Sequence, residues 1–308
     1  MIHDTDERTE YGSDGQRTNL PETSLLICSR NRPELLWDTI QSVLQGDEIP
    51  TEMIVIDQSE TPNQVLTNFR PGRNIIFHYI WSDKKGVSNG RNLAVSAASH
   101  PVLVFTDDDM LMTPTWFGTI VRALVAVGPQ AVVTGQVLSS KEYEEGFAAS
   151  TREDQESVTY RGRVNRDVLF TGNMCVYHSA FDSVGGFDIR LGPGTAYQAA
   201  EDNDFAFRLL ENGYCIVYEP HASVYHRDWR SHEESLRLHW NYGCGQGAFY
   251  AKYFSLKDTY MIKRMARNVS GYLLRVPYRL LRQRNQAYRD FLFVIGLLYG
   301  AARWRLTT

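Results

Sequence analysis

Short apolar runs that alternate with helix-like stretches leave this 308-residue chain few ways to fold. "TSLLICS" (23–29), "EMIVIDQS" (52–59), "NIIFHYIWS", "PVLVFTDDD" and "QAVVTGQVL" each hold a core of consecutive apolar residues. A strand buried on both faces reads this way, whereas a half-exposed strand alternates. Between the first two runs, Leu35, Leu36, Ile40, Val43 and Leu44 fall at helical spacing. Pro33 stands at the start of that stretch and Gly46 just past its end. "GRNLAVSAASH" and "TPTWFGTIVRALVAVG" read as further helices, the second with Thr113 as N-cap and Pro114 at its first position. The alternation predicts an α/β fold, a mostly parallel, Rossmann-like sheet flanked by helices. Ligands of such sheets bind beyond the carboxyl ends of the strands. Ser29, Asp57, Asp107, Asp108 and Asp109 all stand at such ends.

The acidic run is chemically awkward. Neighbouring carboxylates repel, more so when desolvated, so a compensating cation is expected. A divalent metal suits, because hard cations take carboxylate oxygens. The plainer alternative is an acidic turn capping the next helix.

Further along, residues 139–167 are polar and lack a clear period, which predicts a mobile loop or weak hairpin. "DVLFTGNMCVYHSAFDSVGGFD" resumes the pattern, and "AEDNDFAFRLLENGYCIVYEPHASVYHRDW" predicts a helix followed by a strand. From 231 onward the chain reads as helical, although Gly243, Gly245 and Gly247 weaken the first of these helices. A basic helix follows, interrupted by Pro277, and then the apolar run "FLFVIGLLYGAA". That run is too short for a membrane span, which needs about 20 residues.

Apolar content of 43% and charged content of 22% are ordinary for a globular protein. The net charge of −4 is mild, but residues 257–308 carry eleven Lys and Arg against Asp258 and Asp290. Cys28, Cys175, Cys215 and Cys244 form no CxxC pair and read as reduced core cysteines of a cytosolic protein. The N-terminal stretch lacks the apolar segment of a signal peptide and reads as a flexible polar leader.

In order along the chain stand "SLLICSRNRPELLWDTIQSVLQG", "MIVIDQS", "GVSNGRNLAVSAA", "LVFTDDDM", "FTGNMCVYHSAFDSVGGFD", "AEDNDFAFRLLENGY" and "VYEPHASVYH". This series resembles the motif series of family 2 glycosyltransferases with the GT-A fold. The resemblance implies transfer of one sugar from a nucleotide-sugar to an acceptor hydroxyl, with inversion, and a Mn2+ or Mg2+ ion at the donor diphosphate. The chemistry agrees. A nucleoside diphosphate leaving group develops charge that a metal can neutralise. The attacking hydroxyl needs a carboxylate to take its proton. Two acidic sites are required.

The resemblance distributes roles among the residues. Asp107–Asp109 match the family's DXD motif, with Asp109 as metal ligand and Asp107 and Asp108 on the donor side. Asp57, with Ser29, serves the nucleotide, Asp57 by accepting from the base. Arg91 and Asn92 match an Arg-Asn pair that meets the nucleotide. Of the "ED" pair, Asp202 is the general base and Glu201 lies on the acceptor side. Gly172 and Asn173 match an acceptor-side loop, and His226 completes the metal site. Asp204 and Arg208, at i, i+4, are expected to pair with each other.

Two departures stand out. Arg30 precedes Asn31 where the family has an aromatic, and the Gln-x-x-Arg-Trp motif of processive synthases is absent. A single-addition enzyme is therefore favoured. A sugar nucleotidyltransferase would need a Gly-rich loop after the first strand, and "CSRNRPE" has no glycine. A non-catalytic nucleotide-sugar-binding scaffold is opposed by Asp109 and Asp202. A dinucleotide dehydrogenase lacks its GxGxxG.

The expected organisation is a leader over 1–22, a catalytic domain over 23–230 and a basic helical extension over 231–308. Within the catalytic domain, 23–135 is the nucleotide half and 136–230 the acceptor half. The expected partners are a nucleotide-diphosphate sugar and a glycan or lipid-linked glycan acceptor, without nucleic acid. The basic tail suggests an anionic membrane surface, with packing on the protein or a homodimer as alternatives. The corresponding location is cytoplasmic, peripheral on the inner face of the plasma membrane.

Overall fold

The computed structural model describes residues 19–141, 151–229 and 232–307. Most of the expected leader and residues 142–150 of the expected loop lie outside the described residues. The first half runs β1 (Thr23–Ser29), α1 (Pro33–Leu44), β2 (Glu52–Asp57), α2 (Gln64–Thr67), β3 (Ile76–Trp81), α3 (Val87–Ala97) and β4 (Val102–Asp107). A short β5 (Met110–Met112), α4 (Trp116–Val127), β6 (Ala131–Ser139) and β7 (Val158–Tyr160) follow. Then come β8 (Asn173–Tyr177), α5 (Ser179–Val184), α6 (Glu201–Glu211) and β9 (Cys215–His226). The chain closes with α7 (His232–Lys252), α8 (Tyr260–Arg282) and α9 (Arg284–Thr307).

The strands form one sheet in the order β3-β2-β1-β4-β8-β6-β9-β5, with β7 also on β9. β3, β2, β1 and β4 are parallel, as the buried runs predict. Alternate side chains divide the core. Leu25, Ile27, Val55 and Val104 face α1 and α4, while Leu26, Ile54, Phe105 and Val176 face the layer of α3, α5 and α6. Pro33 opens α1, where a missing N–H costs nothing. Thr113 does not cap α4. The helix begins after Thr115, and the Thr113 hydroxyl donates instead to the carbonyl of Ser223 (2.9 Å).

The second half of the sheet is mixed. β8 is antiparallel to both β4 and β6, and β6 is parallel to β9. Part of the expected loop or weak hairpin joins this sheet, since β7 pairs antiparallel with β9. Between Gly135 and Gln136 the β6–β9 register shifts, and Pro220, His221 and Ala222 bulge out of the ladder. Proline tolerates such a place because it has no N–H to pair.

The glycines of α7 do not break it. A Cβ on Gly243 would stand 2.2 Å from the Phe293 carbonyl oxygen, and one on Gly247 would stand 1.9 Å from that of Leu297. Gly296 and Gly300 of α9 are equally tight against α7. These glycines let the two backbones touch. All four cysteines are free. No helix among the described residues is long and apolar enough to cross a membrane.

Candidate active site

The carboxyl ends of β1, β2 and β4 lie side by side. Ser29 is level with Asp57, and Cys28 with Asp107. After Asp107 the chain turns tightly through Asp108 and Asp109 into β5. That strand pairs antiparallel with the end of β9, Met110 opposite His226. This register carries His226 from the far side of the sequence to Asp109.

Arginines compensate the acidic run. Arg91 Nη2 donates to Asp107 Oδ1 (2.9 Å), while its Nη1 reaches Glu201 Oε1 (3.0 Å) and Asp202 Oδ1 (3.3 Å). Its guanidinium is buried and turned towards these acids rather than out to a nucleotide. Burial opposes its charge, but the three carboxylates outweigh burial and raise its pKa. Arg32 Nη1 donates to Asp108 Oδ1 (2.9 Å) and lies 3.5 Å from Asp109 Oδ2, with its guanidinium over the Trp229 ring. Asp108 also accepts from Ser29 Oγ (2.6 Å). Burial, only partly offset by Arg32, pushes the Asp108 carboxyl up to about 6.

Asp109 is buried and accepts from Trp229 Nε1 (2.9 Å). His226 Nε2 stands 3.7 Å from Asp109 Oδ1, beyond hydrogen-bond reach, and its buried Nδ1 has no hydrogen-bond partner among the described residues. A buried imidazole facing a carboxylate without bonding to it suits a divalent ion. Among the described residues no group of three His, Cys, Asp or Glu side chains is placed to hold a metal. Two protein ligands are enough for Mg2+ or Mn2+ when water and phosphate oxygens fill the shell.

A cleft of about 670 Å³ opens beside these groups, lined in part by Ser29, Asn31, Trp37, Asp57, Ser59 and Asn63. That volume is in the usual range for a small-molecule site. Asp57 accepts from the Tyr79 hydroxyl (2.6 Å) and from the Ser59 amide (2.9 Å), so both its oxygens hold the cleft wall. Asn31 joins the same wall in a left-handed conformation, accepting from the Glu60 amide. Asn92 is structural, its amide clasping the backbone of Phe187 from both sides.

On the other side of Arg91, α6 opens from Ala200, which adopts a left-handed φ of 70°. Glu201 and Asp202 occupy its first turn, where the helix dipole favours acids. Asp202 accepts from Thr171 Oγ1 (2.5 Å) and the Thr171 amide (3.2 Å). Its side chain is 26% exposed against 9% for Glu201. Burial raises both carboxyls, Glu201 to about 7, and for Glu201 the adjacent Asp202 adds to the rise.

Gly172 lies where a Cβ would stand 2.5 Å from Asp107 Oδ2, so it makes room for the acid. Asn173 is no acceptor ligand in this fold. It is fully buried at the start of β8, donates to the carbonyls of Gln136 (2.9 Å) and Ala222 (2.8 Å), and accepts from Trp116 Nε1 (2.8 Å). Its amide plugs the bulge of β9. Asp204 and Arg208 pair as expected, Nε to Oδ2 at 3.0 Å.

Four contributors escaped the sequence reading: Arg32, Tyr79, Thr171 and Trp229. Only Arg32 had a signal, a basic residue in the loop after the first strand when a cation was needed near the carboxylates.

A mixed sheet whose parallel half ends in carboxylates beside a cleft of this size, with a second pair of acids across from them, defines an α/β protein with its site at the carboxyl ends of the strands. The family model for glycosyl transferase family 2 matches residues 24–187, and the chain belongs to that family. Solved structures share the fold. A mannosyltransferase from Pyrobaculum calidifontis, in complex with GDP-Man and Mn2+, superposes with a TM-score of 0.63 at 13% identity, covering 96% of this chain and 90% of that one. TarS 1–349 of S. aureus gives 0.53 at 12% identity, covering 93% and 92%. GalNAc-T7 with UDP, GalNAc and Mn2+ gives 0.55 at 15% identity over 68% of this chain. This chain spans 43% of the length of the GalNAc-T7 chain.

Proposed function

We propose that this glycosyltransferase moves one sugar from a nucleoside-diphosphate sugar to an acceptor hydroxyl, with inversion, in glycan or polysaccharide assembly. The observation that carries the reading is Arg91. One guanidinium bonds both Asp107, at the diphosphate end, and Asp202, at the acceptor end, so the two required acidic sites are neighbours. The acceptor oxygen forms a bond to the anomeric carbon as the bond from that carbon to the diphosphate oxygen breaks. The hydroxyl proton passes to Asp202, and the nucleoside diphosphate leaves with the electron pair. Thr171 orients the base, and Glu201 stands behind it in contact with Arg91.

Asp109 and His226 would hold Mn2+ or Mg2+, which supplies positive charge to the leaving diphosphate. Solved relatives bound to Mn2+ with a nucleotide or nucleotide-sugar support this reading. The cleft at Asp57 would take the nucleoside. Residues 23–135 form the nucleotide half of the proposed catalytic domain, 136–230 the acceptor half, and 231–308 a helical extension. A glycan, free or lipid-linked, is the proposed acceptor.

The test is release of nucleoside diphosphate from a panel of nucleotide-sugars, with and without EDTA. Asp202→Asn keeps size but cannot take the proton, and should lower kcat by roughly 10²–10⁴ with donor binding nearly unchanged. Weak donor binding with normal turnover would move Asp202 to the donor site, and full wild-type activity in EDTA would remove the metal.

A further inference from the structure

Helix α8 presents a face that no other described element covers. α8 and α9 meet at Gln283 and run back along each other, with Tyr272 stacked on Phe293 and Arg279 ion-paired to buried Asp290. Away from that seam, α8 turns Leu274, Tyr278 and Leu281 to solvent at i, i+4, i+7. Leu274 is 80% exposed and Leu281 88%. α9 has exposed apolar residues of its own, Tyr288, Phe291, Ile295 and Leu298, but they lie on the side of that helix turned away from Phe293 and Asp290, and so away from α8. An exposed apolar stripe at i, i+4, i+7 on an otherwise basic helix marks an interaction site.

The charge on these helices is almost all of one sign, and Asp167, which faces α8, is paired with Arg264. Asp258 and Asp290 are the only acids from residue 257 onward. Asp258 is ion-paired with Arg163 (2.6 Å), and Asp290 is consumed by Arg279. Lys263, Arg267, Arg275, Arg282 and Arg284 are left exposed on these helices.

We infer that the exposed face of α8 docks on an anionic lipid bilayer. Leu274, Tyr278 and Leu281 enter the headgroup boundary while Lys263, Arg267, Arg275 and Arg282 meet lipid phosphates. An apolar stripe bordered by basic residues, on helices unable to span, is held in the interface plane by both effects together. The same charges disfavour a second copy of the chain as the occupant, because a twofold contact would set one basic face against another. The inference does not depend on the sugar-transfer reading.

Flotation of the full chain with vesicles tests it, using phosphatidylcholine alone and phosphatidylcholine mixed with phosphatidylglycerol. Binding is expected only to the mixed vesicles and should weaken as salt is added. Arg275→Gln with Arg282→Gln should lower partitioning about 25-fold, on the order of fivefold for each basic residue removed from such a surface. Leu274→Asp with Leu281→Asp should abolish flotation while leaving the melting temperature unchanged, since both side chains lie outside the core. Three outcomes would each overturn the inference: no flotation, equal flotation on neutral vesicles, or a dimer by light scattering that the Leu→Asp pair converts to monomer.

Discussion

Arg91 brings one positive charge to three carboxylates, so the cluster is over-acidic at neutral pH. Glu201 bears most of the consequence, its carboxyl pushed up to about 7 by burial and by Asp202. A folded-state value above the unfolded one means stability is greatest below about 4.5 and is lost as pH rises through 7. Glu201→Gln keeps an acceptor for Arg91 and removes that loss. The variant should be more stable than the parent at pH 8, on the order of 1–3 kcal/mol, with the gain shrinking towards pH 5. Melting curves across that range decide it, and a variant equally destabilised at every pH would refute the account. At this scale the acids were legible, because a DXD run and an ED pair are contiguous in sequence. The partners of the cations were not, since Arg91 was expected to meet the nucleotide and Arg32 was not named. Arg32 and Arg91 acquire their partners 76 and 16 positions away, through the sheet register.

Elements were read well where a pattern is local and poorly where a partner decides. The apolar runs located the parallel strands, but an apolar run does not encode direction, so the antiparallel β8 between β4 and β6 was not foreseen. Asn173 sits in that strand, and a motif match alone put it at the acceptor. The glycines of α7 were read as helix weakeners on propensity, whereas their use is close approach to α9. Two substitutions separate these meanings. Gly247→Ala forces a methyl towards the Leu297 carbonyl and should cost about 1–3 kcal/mol or more by overpacking. Gly271→Ala, in α8 with nothing within 4 Å of the new methyl, should stabilise by roughly 0.5–1 kcal/mol through helix propensity. Chemical denaturation of both variants compares the signs, and matching signs would contradict the packing account.

Over the whole molecule, the C-terminal helices buttress the segment that delivers Glu201 and Asp202. Trp304 of α9 packs on Tyr197 (centroids 5.2 Å), and Gly245 of α7 lies against Ala199, one residue before the left-handed Ala200. The charge pattern of the tail was plain in sequence, but the packing of that tail under α6 was not, because helix-on-helix contact leaves no motif. Arg91 performs the corresponding join on the other side. It belongs to α3, yet its bonds reach Asp107 at the end of β4 and Glu201 at the start of α6. Substitutions at the two ends of the site are therefore energetically linked. Asp107→Asn or Asp202→Asn alone still leaves the buried guanidinium two acidic neighbours, whereas together they leave only Glu201. The double variant should unfold more readily than the sum of the singles, with a coupling of about 0.5–3 kcal/mol. Strict additivity in thermal unfolding would mean that the bonds of Arg91 to one end are indifferent to the other. If the coupling is present, a substitution at Asp107 changes what a substitution at Asp202 costs, so neither position is free to vary without regard to the other.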